Sequence, residues 1–92
     1  MQSDSVARFM DDKILDGILA LGQDLAVRAS ELYGMYVEWA RQSGEKNLGN
    51  RRFVNRMMSN FPSLEHTKAA GHTVWRGLGR HPSAGVLGIL GS

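Results

Sequence analysis

In the run ASELYGMYVEWARQSG, the residues Leu32, Met35, Tyr36, Trp39 and Ala40 recur at i, i+3, i+4, i+7 and i+8. That spacing predicts an amphipathic helix whose aromatic face must be buried. Its start falls near residues 28–30, with Glu31 in the first turn, where a carboxylate suits the helix dipole. Gly44 stops it, with Arg41 in the last turn. Tyr33, Tyr36 and Trp39 follow the same helical period and read mostly as packing residues.

A second helix follows after a short connector, Glu45–Gly49. It runs from about Asn50 to Asn60, because Pro62 pushes the residue before it out of helical geometry. Placing Phe53 at 0° and advancing about 100° per residue sets Met57, Val54 and Met58 along one apolar stripe. Arg51, Arg52, Asn55, Arg56 and Ser59 fall on the opposite face, with no acidic residue among them. A solvated helix face usually mixes Glu with Lys or Arg, since opposite charges four apart stabilise it. Guanidinium groups bond in bidentate fashion to guanine edges and phosphates, and carboxamides pair with adenine edges. The face therefore suits a duplex major groove, a groove that admits a helix in DNA but not in A-form RNA. The bland alternative is a solvated helix with a basic outer side.

On either side of these two helices the pattern is looser. Ser3, Asp4 and Ser5 are capping residues, and Val6, Phe9, Met10 and Ile14 follow at helical spacing, so a lead-in helix spans about residues 4–15. Asp16–Gln23 holds two glycines and reads as a turn or a second helical piece, and Asp24–Arg28 as a short strand. Residues 64–68 and 73–78 read as two short strands around a turn, with Gly71 supplying positive φ. Lys68, His72, Thr73 and Arg76 then sit in or beside a hairpin, within reach of backbone phosphates. Trp75, between Val74 and Leu78, reads as core.

The resulting order is helix, strand, helix, helix, hairpin. The expected fold is thus mainly α with a small β-hairpin, an α+β winged helix-turn-helix. Ninety-two residues make one domain: a lead-in at 1–15, a winged-helix core at 24–78 and an apolar tail at 79–92. The tail, GRHPSAGVLGILGS, reads as a docking strand or as a segment that pairs with another chain.

Charge supports the same reading. Residues 1–40 hold three basic and seven acidic side chains, whereas residues 41–80 hold eight and two. Such segregation favours a polyanionic partner for the second half. The chain has no cysteine, which removes disulfides and thiolate metal sites and suits a reducing compartment. Its polar N-terminus lacks a signal-peptide core, and its longest apolar runs are far too short to span a bilayer. A soluble cytoplasmic protein is the default expectation. His66, His72 and His81 are too irregularly spaced for a metal site, and no phosphate-binding loop or nucleophile motif is present. No cofactor, no metal and no catalytic activity are expected of this chain alone. Asp11, Asp12 and Asp16 read as a solvated helix end.

The segment ASELYGMYVEWARQSGEKNLGNRRFVNRM, followed by HTVWRGLGR, resembles the C-terminal domain of phage and plasmid primase-helicases of the superfamily 3 helicase type. The matching residues are Leu32, Tyr33, Tyr36 and Trp39, then Gly44, Glu45 and Lys46, then Phe53, and finally Trp75, Arg76 and Gly77. The upstream SVARFMDDK is similar to the short helix that joins such a domain to its helicase core. The resemblance covers roughly residues 5–80 and implies a winged-helix fold and DNA binding, with a replication origin as one setting. It carries no ATPase or primase residues to this chain. Asn60–Ser63 and the tail after Arg80 depart from the family pattern.

The DNA-contact candidates are accordingly Arg51, Arg52, Asn55 and Arg56, with Lys46, Asn50, Ser59, Lys68, His72 and Arg76 beside them. Two other classes stand against this reading. One is a winged-helix module for protein interaction or self-association, favoured by the acidic first half and the apolar tail. The other is a small stand-alone phage transcriptional regulator.

Overall fold

The computed structural model describes residues 4–81. Asp4 starts the first helix, α1 (Ser5–Leu15), by accepting the Val6 and Ala7 amides on Oδ1 at 3.0 and 3.3 Å. Gly17, at φ 74°, turns the chain into β1 (Leu19–Arg28), which runs straight into α2 (Ala29–Ser43). Gly44 ends α2 in the left-handed region, as expected of a helix-stopping glycine. After the connector come α3 (Asn50–Asn60), β2 (Glu65–Ala69) and β3 (His72–Arg80). Ala70 and Gly71 join the last two strands with φ of 52° and 81°. A two-residue hairpin of the twist-matched kind needs both values positive.

The expectation of a small hairpin is too modest. The structure is a small α+β fold of three helices and one three-stranded antiparallel sheet, in the order β1–β3–β2. The segment read as a turn or helical piece at 16–23 instead begins β1, with Leu19, Ala20 and Leu21 opposite Arg80, Gly79 and Leu78. Pairing resumes at Ala26 opposite Arg76, so residues 22–25 of β1 face the single Gly77. This bulge hides the strand from a period-two reading. It also explains two glycines in VWRGLGR. Gly77 has φ 92°, and a Cβ on Gly79 would stand 3.0 Å from the Ala26 backbone. Gly79 and Arg80 are strand residues rather than the start of a tail. Residues 82–92, where most of that tail falls, lie outside the described residues.

One core joins the helices to the sheet. Phe9, Tyr36 and Phe53, one ring from each helix, are fully buried with centroids 4.8 to 6.4 Å apart. Trp39 packs on Phe9 and Tyr36, and its Nε1 donates to Asp12 Oδ2 at 2.8 Å. Asp12 is thus tied into the fold rather than being a freely solvated helix end. From the sheet, Leu19, Val27, Trp75 and Leu78 face inward. Among the described residues, no helix is long and apolar enough to cross a membrane.

Candidate nucleic-acid interface

Two tyrosine hydroxyls fix the connector that presents α3. Tyr33 donates to the Leu48 carbonyl at 2.8 Å, while the Leu48 amide donates to the Tyr36 hydroxyl at 2.9 Å. Tyr36 also shares a 2.9 Å hydrogen bond with Ser5 Oγ, so α1, α2 and the connector meet at one atom. Each hydroxyl thereby finds a polar partner while its ring stays packed.

Helix α3 begins at Asn50, as its sequence predicts, and turns Phe53 and Met57 into the core. Arg51, Arg52, Asn55, Arg56 and Ser59 are all exposed. Met58 corrects the predicted stripe. It is half exposed, because at about 140° from Phe53 it has already turned past the edge of the buried face.

The state of each cation separates the arginines further. Carboxylates hold four of the eleven Lys and Arg side chains: Arg8 on Glu45, Arg41 on Glu38, Arg56 on Asp4 and Arg80 on Glu31. Among the described residues the other seven have no acidic partner: Lys13, Arg28, Lys46, Arg51, Arg52, Lys68 and Arg76. All but Lys13 lie outside α1, on α3 or on the connector and strands around it.

Arg56 is therefore a weaker candidate than its helix position suggests. Its Nη1 stands 4.0 Å from Asp4 Oδ2, which also accepts from Asn60 Nδ2 at 2.9 Å. The Asp4 carboxyl lies below its ordinary pKa. Partial burial pushes it up, but the Asn60 hydrogen bond, the Ala7 and Val6 amides and the Arg56 charge outweigh that. The face has no acid of its own, yet it borrows one from the start of α1.

Most of the candidates line three clefts around α3. Lys46, Arg51 and Arg52 line one groove of about 650 Å³ between the start of α1, the connector and α3. Arg52, Asn55 and Arg56 line a cleft beside Leu48. On the other side of α3, Asn50 and His72 share a cleft of about 360 Å³ with Arg28, Ser30, His66 and Thr73. Lys68 follows His66 by two residues and so lies on the helix side of the sheet. Arg76 does not join them. It alternates with buried Trp75 and stands opposite Glu65 on the outer face of the sheet. Ser59 is exposed on the last turn of α3. Arg28 escaped sequence reading because it ends a strand and precedes a helix, so it belonged to no periodic face. Among the described residues, no three acidic or histidine side chains gather to hold a metal ion.

Residues 1–76 match the family model described as poxvirus D5 protein-like. The chain belongs to that family. Membership supports the coarser part of the sequence resemblance, a primase-helicase-associated domain related to viral replication. No curated protein and no solved structure matches the chain.

Proposed function

We propose that this chain is a winged helix-turn-helix module that binds duplex DNA for a phage- or plasmid-type replication protein. In this reading α3 enters the major groove and the β2–β3 hairpin is the wing on the backbone. The observation that carries it is the exposed α3 face, on which Arg51, Arg52 and Asn55 stand without a carboxylate partner among the described residues. The element order and the β1–β3–β2 sheet suit a winged helix. Aromatic contacts of Tyr33 and Tyr36 with Phe53 hold α2 against α3, as a helix-turn-helix needs. Any priming or unwinding activity belongs to other chain, and this module works in the cytoplasm or nucleoid of the host cell.

Fluorescence anisotropy with labelled duplex DNA tests the reading. Binding should weaken by about three orders of magnitude or more between 50 and 200 mM salt if six or more phosphates are contacted. Absence of duplex binding at low salt, or binding insensitive to salt, overturns it. A second reading, protein interaction or self-association, draws on Leu15 and Leu21, which are 83% and 52% exposed near the α1–β1 junction. A small stand-alone phage regulator would use the same α3 face. It differs in having no helicase partner to co-purify with.

A further inference from the structure

We infer that the cleft between the starts of α2 and α3 and the hairpin turn holds a DNA backbone phosphate, with Arg28 as its cation. The inference rests on the proposed duplex binding and extends it to a side of α3 that the helix face does not include. Three elements build the cleft: Arg28 and Ser30 from the β1–α2 junction, Asn50 from α3, and His66, His72 and Thr73 from the hairpin. Six of the nine lining residues carry hydrogen-bonding side chains, the others being Ala29, Val54 and Gly71, and none is a carboxylate. Arg28 is exposed and has no ion pair or hydrogen bond to another side chain among the described residues. His66 Nε2 is buried without a partner.

A cation without an acidic partner among the described residues, in a cleft with hydrogen-bonding side chains from three elements beside a helix meant for a groove, suits an anionic oxygen far better than a base edge. The cleft volume of about 360 Å³ leaves room for a phosphodiester and its waters. With Lys46, Arg51 and Arg52 lining the groove on the opposite side of α3, cations flank the helix on both sides. A duplex seated on α3 presents a phosphate strand to each side. The hairpin-side strand is the one assigned here to Arg28.

Arg28→Ala is the test. Arg28 is the N-cap of α2 but makes no side-chain cap bond, so the variant should keep the wild-type urea midpoint. It should lose affinity roughly tenfold, equally on unrelated duplex sequences, and reduce the salt slope by about one phosphate. Arg28→Lys should restore the slope. An unchanged slope in Arg28→Ala, alongside a reduced slope in Arg51→Ala, overturns the cleft while leaving the α3 reading intact. Unchanged slopes in both variants overturn the α3 reading itself. A loss in Arg28→Ala that appears on one duplex sequence only also contradicts a phosphate contact.

Discussion

The two faces of α3 are built to opposite rules. The inner face is dry and shape-matched: Phe53 and Met57 are fully buried, and Phe53 meets rings from both other helices. The outer face is wet and charged, with Arg51 and Arg52 left without acidic partners among the described residues. The outer side of α2 shows what a merely solvated face looks like. There Glu38 accepts from both Arg41 and Gln42 within one turn. Helix α3 lacks such neighbours and draws its stability from tertiary packing, which leaves its outer residues open to selection for binding.

Substitutions can pull those two roles apart. Phe53→Ala should cost about 3–5 kcal/mol in urea unfolding, since it removes the ring through which α3 meets α1 and α2. A cost below about 1 kcal/mol would mean that α3 is not anchored this way. The double variant Arg51→Ala, Arg52→Ala should lower duplex affinity roughly a hundredfold. Its unfolding free energy should shift by no more than about 0.5 kcal/mol. Equal losses of stability and binding would erase the distinction between the faces.

Asp4 links the two roles, and pH exposes it. Its folded pKa is depressed, so its contribution is present above the unfolded value of about 4 and disappears as pH falls through the folded value. Urea midpoints measured from pH 6 down to pH 2 should therefore drop more steeply for wild type than for Asp4→Asn. The difference should be about 1 kcal/mol or less. The same variant frees Arg56 and should tighten duplex binding a fewfold; weaker binding would show that the Asp4–Arg56 contact aids recognition instead. Smallest of all, Arg41→Ala should leave affinity for DNA unchanged, because that guanidinium is held by Glu38 on the far helix.

Much of this division was legible in sequence. The period of Leu32, Tyr36, Trp39 and Ala40, the Gly44 stop and the Pro62 limit define α2 and α3, since each feature acts within a few residues. The 70–71 turn was legible for the same reason, through Gly71. What escaped depends on distant chain. The first half of β1 gains its strand geometry from residues 78–80 of β3, across a bulge that breaks alternation. Arg56 looked as free as Arg51 until folding brought Asp4 to it from 52 positions away. Arg76 looked like a wing residue within reach of the α3 side, yet the pleat turns it to the opposite side of the sheet from Trp75. Arg28 gains meaning only when three separate elements close a cleft around it.

The most direct measurement is an amide chemical-shift map recorded while a short duplex is titrated into isotopically labelled protein. The account predicts that shifts concentrate at residues 46–56, Arg28 and the hairpin tip around 68–73. The outer faces of α1 and α2, at Asp11 and Gln42 for example, should stay unmoved. Shifts confined to those outer faces, or to Leu15 and Leu21, would contradict DNA recognition by α3.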